Sequence, residues 1–239
     1  MRDKRLDMLK GFALIAVVLY HLNIGFDSGF LGVEVFFVIS GYLMVASVMH
    51  RYETDSEFKF FPFVVGKIKR LLPLVLIVSA VSLFVGYFVM LPDDYENLAE
   101  SVVASSFFAN NILAAITTKN YWDIGNVYKP LMHTWYIGVL MQSYVLFAIV
   151  FFILDKIAKN DYGKFRKIVS GTLVTITGLS LLVYLLPILS SAEKFYFIPA
   201  RLFEISIGGC VYLLVKQQKK CEKTAKYMKN HIYIYMRFC

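Results

Sequence analysis

Charge is what this chain has little of. Asp, Glu, Lys and Arg make up 18% of its 239 residues while 58% are hydrophobic, and the mean hydropathy is +0.61. That balance is too apolar for a soluble domain. Acidic residues are scarcer than basic ones, 17 against 25. The resulting charge of +8 would suit a nucleic acid if it were gathered in one patch. It falls instead in short segments between apolar runs, as the positive-inside rule requires of a membrane protein, so no nucleic-acid partner is expected. Cysteine is nearly absent. Cys210, Cys221 and Cys239 show no CxxC or Cys/His spacing, which leaves no metal centre to propose, and a cysteine as the last residue excludes a prenylation box. There is no Gly-rich phosphate loop, internal repeat or low-complexity tract, and no small-x-small cleavage site after MRDKR. The first apolar run therefore reads as a retained helix rather than a signal peptide.

What is present is a series of apolar runs. Met8 to Met49 holds two of about 20 residues, each long enough to cross a ~30 Å hydrocarbon core, joined by a turn containing DSG. Further runs cover 71–91, 132–154, 168–189 and 198–215, and a shorter polar one covers 101–118. The basic N-terminus, the 50–70 segment, the 155–167 loop and the tail KQQKKCEKTAKYMK place those parts in the cytoplasm, and the acidic PDDYENLAE loop on the outer side. Parity then closes with six crossings only if 101–118 fails to cross, as a re-entrant or interfacial helix. Pro73 is expected in the first turn of its helix, where it is tolerated. The fold class is all-α, a polytopic transmembrane helical bundle, with one domain over 1–215 and a basic cytoplasmic tail over 216–239.

Ionisable groups inside apolar spans mark function by default. Lys10 and His21 lie eleven residues apart, so one helix face carries both, ~16 Å from each other along the axis. A lysine near a helix start also snorkels with no further role, and a neutral histidine also serves as an interhelical hydrogen-bonding group. His21, Glu34 and His133 fall within ~8 Å of the outer boundary, which sets three acid–base groups at one level. Lys67, Lys69 and Arg70 lie at the cytoplasmic start of the third helix. Lys67 and Arg70 share a face at i, i+3 and could hold an anion, although charges beside a membrane are as often topogenic or bound to lipid phosphate. Arg201 and Glu204 form another i, i+3 pair, read as a supporting ion pair.

FALIAVVLYH, GFLGVEVFFVISGYL, KIKRLLPL, PLMHTWYIGVLMQSYVLF and ARLFEISIGG follow one another in the order and spacing of the acyltransferase-3 family of bacterial membrane-bound O-acyltransferases, which the chain resembles over roughly residues 7 to 215. The resemblance implies that His21 is the essential histidine, with Lys10 at the paired basic position. It implies that Lys67 and Arg70 stand for the family's Arg-x-x-Arg motif, which engages the acyl-CoA donor. It further implies transfer of an acetyl group from cytoplasmic acetyl-CoA, a co-substrate and not a bound cofactor, to a hydroxyl of a surface polysaccharide or exported small molecule. The place is the bacterial cytoplasmic membrane. On this reading His21 is the catalytic centre, either as general base on the acceptor hydroxyl or as the residue that receives the acyl group, with His133 a supporting base or donor, Glu34 the group that orients the imidazole, and Lys10 a contact to the donor. Leu140 and Met141 stand where members often carry a Glu pair, and Ser143 replaces an aromatic. The alternative is a transporter or non-enzymatic membrane protein that uses the same His, Glu and Lys as a proton or ion path. Family members have about ten spanning helices, so the chain is expected to be a C-terminally truncated member, weakly active or inactive alone unless six crossings suffice, as in a homo-oligomer.

Overall fold

The computed structural model describes residues 4–55, 57–118 and 129–218, and among them there is no strand. Among the described residues nine helices follow one another: α1 Lys4–His21, α2 Gly32–Asp55, α3 Phe60–Val89, α4 Pro92–Ser106, α5 Asn110–Thr117, α6 Trp135–Ala158, α7 Tyr162–Leu185, α8 Ser191–Tyr196 and α9 over 202–218. Single 3-10 turns, Gly29–Leu31, Met132–Thr134 and Ile198–Ala200, lead into α2, α6 and α9. The chain is an integral membrane helical bundle. Four segments are long and apolar enough to cross a membrane: Gly29–Asp55, Phe60–Val89, Met132–Ala158 and Tyr162–Leu185.

The two other expected crossings do not reach that standard among the described residues. α1 has 18 residues and spends its first turns on Lys4, Arg5, Asp7 and Lys10. It ends at His21, five residues before the apolar run does, because Asn23 and Gly25 turn the chain at φ +54° and +58°. α9, over the described residues 202–218, is shorter than the length a span needs. The 101–118 run does not form one helix. It breaks between α4 and α5, where Phe108 takes φ +56°, and neither piece is long enough to cross. Pro73 sits in the interior of a 30-residue α3, which begins eleven residues before the expected start and takes Lys67, Lys69 and Arg70 into the helix. Pro73 has no N–H to give to the Lys69 carbonyl, a loss the rest of so long a helix can carry. The expected 168–189 crossing is found at Tyr162–Leu185. The basic loop before it contracts to a tight turn through Lys159 and Asn160, both left-handed, and the Asp161 carboxylate caps α7 by accepting from Lys164 N at 3.1 Å. The tail from 219 and the segment 119–128 lie outside the described residues.

Small residues bring the central helices together. A Cβ on Gly41 would run into the Ile205 carbonyl, and one on Gly208 into the Val38 carbonyl, so α2 and α9 cross backbone to backbone. Gly29 and Gly32 lie in the same way on Ala16 and Ala13 of α1. Without a hydrophobic drive between helices in lipid, such close approach is a main source of helix association. α2, α6, α7 and α9 then enclose Phe37, Met44, Val45, Phe147, Phe151, Phe165 and Ile205, all essentially fully buried. α3 turns Leu74, Ile77, Val81, Phe84 and Phe88 outward, as a lipid-facing helix does. The buried Asn110 and Asn111 tie α5 to the bundle: Asn110 donates to Leu131 O and Thr134 Oγ1, Asn111 to Tyr196 O and Gln142 Oε1.

Candidate functional site

The helix ends gather two polar clusters at opposite ends of the bundle. α1 ends where α2 and α6 begin, so His21, the last residue of α1, meets His133 in the 3-10 turn before α6. Their Nε2 atoms lie 3.2 Å apart and the rings are edge to face, with centroids at 4.7 Å. One Nε2 must carry the hydrogen and the other must accept it, so the accepting ring is a neutral imidazole with its proton on Nδ1. Both side chains are exposed, leaving the pair open to a substrate from that end. The sequence placed these residues at one level, and the structure puts them in direct contact across 112 positions.

Glu34 has a different partner from the expected one. Both its oxygens accept from Arg201 Nη1, at 2.8 and 2.9 Å, and the same nitrogen donates to Glu204 at 2.6 Å. The supporting Arg201–Glu204 pair is thus the buried part of a triad, with a half-buried Glu34 engaged by the guanidinium rather than by an imidazole. Glu204 Oε2 is buried with no hydrogen-bond partner. Arg201 Nε donates to Phe195 O at 2.9 Å, and the guanidinium carbon lies 4.7 Å from the Phe195 ring centroid and 5.8 Å from that of Trp135. Trp135 opens α6 two residues after His133. The triad therefore braces the helix start that carries one histidine, with cation–π attraction strengthened by exclusion of water. The short α8 that supplies Phe195 is fixed by a capping box, in which Glu193 N donates to the Ser190 hydroxyl and Ser190 N to the Glu193 carboxylate. Those hydrogen bonds hold the Glu193 carboxyl below the usual carboxylate range.

The basic cluster forms at the other end. Lys67 lays its ammonium 4.3 Å from the Tyr144 ring centroid and 5.2 Å from that of Phe63. Arg70, one turn on, and Arg51, from the end of α2, lie within electrostatic range of it. Lys69 and Arg70 are exposed and free to meet an anion. Lys10, half-buried in α1, makes no hydrogen bond or ion pair with another described residue. Arg51 was missed in the sequence because it ends another helix. Between the clusters runs a set of hydroxyls that sequence reasoning also missed. The Ser40 and Tyr136 hydroxyls are 3.4 Å apart. Serine and tyrosine in an apolar run look like ordinary helix packing, so no sequence signal singles them out. Leu140 and Met141, where the resembling family often carries a Glu pair, are buried among apolar neighbours, and the Ser143 hydroxyl donates back to Val139 O at 2.7 Å.

Comparison with known proteins adds the family. A family model described as an acyltransferase domain matches residues 3–225. Peptidoglycan O-acetyltransferase OatA of Listeria monocytogenes is 28% identical over 211 residues, which cover 88% of this chain and 33% of the relative. O-acetyltransferase OatA of Staphylococcus aureus is 29% identical over 213 residues, covering 88% and 34%. The chain thus spans about a third of the length of these curated relatives. No solved structure matches it. A model that takes in every described residue, with both histidines and both ends of the basic motif inside it, shows that the chain belongs to the acyltransferase-domain family.

Proposed function

We propose that this protein is a membrane O-acyltransferase that moves an acetyl group from acyl-CoA to a hydroxyl of a surface polysaccharide or other exported acceptor. The observation that carries the reading is the His21–His133 contact, placed at the end of the bundle opposite Lys67 and Arg70. An anionic donor belongs at the basic end, which the positive-inside rule assigns to the cytoplasm of a bacterial cell together with the N-terminus. The acceptor reaches the histidine end from outside. Tyr144, beside Lys67, is eleven residues along α6 from His133, so the donor's reacting end has ~16 Å to cover between the two clusters.

The chemistry follows from the geometry of the pair. The acceptor hydroxyl oxygen forms the new bond to the thioester carbonyl carbon while His21 takes the hydroxyl proton. The carbon–sulfur bond breaks, and the departing thiolate takes a proton, leaving an ester and a free thiol. With His21 donating its Nε2–H to His133, the shared hydrogen fixes the tautomer of His21 and leaves the lone pair on its Nδ1 to take the hydroxyl proton. Lys67, Lys69 and Arg70 hold donor phosphates, with Arg70 able to do so through two parallel hydrogen bonds and the lysines as point charges. Arg201, with Glu34 and Glu204, acts through Trp135 and is a positioning residue.

The test is acetyl transfer from labelled acetyl-CoA in membranes that contain the 239-residue chain. His21→Ala is expected to lower kcat by about 10²- to 10⁴-fold, the range of a lost general base, at unchanged abundance in the membrane. Lys67→Ala with Arg70→Ala should mainly raise the KM for acetyl-CoA, since the contact is shared by ground and transition states. Near-wild-type turnover by His21→Ala overturns the mechanism.

A further inference from the structure

A third feature lies apart from both clusters and belongs to no step of the transfer. A cleft of about 480 Å³ lies between α7 and α9 near the basic end of the bundle, in the size range of small-molecule sites. Its two halves differ. Arg166 and Lys167 stand at the mouth, one turn into α7, while Val174, Leu213 and Leu214 line the deeper part, toward the middle of the span. Among the described residues, no carboxylate lies in ion-pair range of either cation. Arg166 donates only to the neutral Gln217 side chain, at 3.1 Å. Lys216 nearby is neutralised by Glu53 at 2.6 Å, so among the described residues the two charges at the mouth are uncompensated. Val174 and Leu214 are each more than half exposed, so the cleft opens sideways to the bilayer and not to water alone.

We propose that this cleft is a binding site for an anionic phospholipid, with the phosphate on Arg166 and Lys167 and one acyl chain lying on Val174, Leu213 and Leu214. The order of the lining along the helix axis is the order of a lipid from headgroup to tail. Basic pockets between spanning helices at the headgroup level hold anionic lipids through that pairing. The charge at the mouth selects an anionic headgroup over a zwitterionic one, and the lateral opening selects a lipid over a water-borne phosphate compound. The proposal is independent of the acyl-transfer reading and stands if that reading fails.

The experiment is photo-crosslinking of the membrane-inserted 239-residue chain in vesicles that carry a photoactivatable phosphatidylglycerol, with the labelled peptides identified by mass spectrometry. Label is expected on peptides spanning 162–174 and 210–217. Excess phosphatidylglycerol should compete about tenfold better than phosphatidylcholine, as two cations near the headgroup level allow. The Arg166→Gln, Lys167→Gln pair should abolish that preference. Ser170→Phe, which fills the cleft and leaves the charges in place, should remove the label without changing helicity. Equal competition by phosphatidylcholine would identify ordinary bulk lipid, and competition by coenzyme A a second donor contact. Absence of label from both peptides would mean protein covers the cleft. Each of these outcomes overturns the proposal.

Discussion

Arg201 is the residue on which the site's rigidity rests. Its guanidinium serves two carboxylates, and both Arg201 and Glu204 are 5% exposed at the side chain, against 32% for Glu34. Removing the shared cation leaves a buried carboxylate uncompensated, at a cost of about 3–5 kcal/mol. Arg201→Met is therefore expected to lower the thermal unfolding midpoint in detergent sharply, whereas Glu34→Gln, whose partner keeps Glu204, should lower it only slightly. His21→Ala should leave the midpoint unchanged. Equal midpoints for Arg201→Met and the parent would show that the triad carries no stability. Part of this was legible in the sequence. Spacing alone pairs Arg201 with Glu204, and loop parity alone brings His21, Glu34 and His133 to one level. Level is not contact, however. Which of two neighbours a carboxylate chooses depends on the direction of side chains 167 positions apart, and no local pattern encodes that.

Helices as elements were legible where apolar length decides, and their ends were not. α3 reads from 71 by hydropathy because Lys67, Lys69 and Arg70 interrupt the apolar run, yet those residues are good helix formers and the hydrogen-bonded ladder continues through them to Phe60. The crossing of α2 and α9 was invisible for the opposite reason: Gly41 and Gly208 matter by what they lack. At Gly41 an added Cβ meets the Ile205 backbone, which cannot move aside as a side chain can. Gly41→Ala is expected to cost about 1–3 kcal/mol through overpacking. Gly171→Ala, with nothing within 4 Å of the new Cβ, should be neutral or gain up to ~1 kcal/mol of helix propensity. Thermal unfolding of the two variants side by side separates crossing geometry from propensity. If both shift the midpoint alike, the backbone-to-backbone approach is not what holds these helices.

For the whole molecule, the ends of the bundle differ in charge as they do in chemistry. The α6–α7 corner carries Lys156, Lys159, Lys164, Arg166 and Lys167 against Asp155 and Asp161, while the α3–α4 corner carries Asp93, Asp94 and Glu96. A membrane reads that difference as orientation, because cytoplasmic loops keep the excess of Lys and Arg. The helices fix the consequence. α3 and α6 run in opposite directions, with Asp94 just past the end of α3 and Lys164 just past the end of α6, so the two positions belong on opposite faces of the bilayer. The interruption at Phe108 agrees with this, since α4 and α5 are each too short to carry the chain across between them. Single cysteines at Asp94 and Lys164, in a chain whose own three cysteines are replaced by serine, should react with a membrane-impermeant maleimide from opposite sides. Asp94→Cys should label in intact cells and Lys164→Cys only after the membrane is opened. Labelling of both from one side would require the 92–118 segment to cross after all. The histidine pair would then share a side with the basic cluster, and an acyl donor held at Lys67 would have no membrane between it and its acceptor.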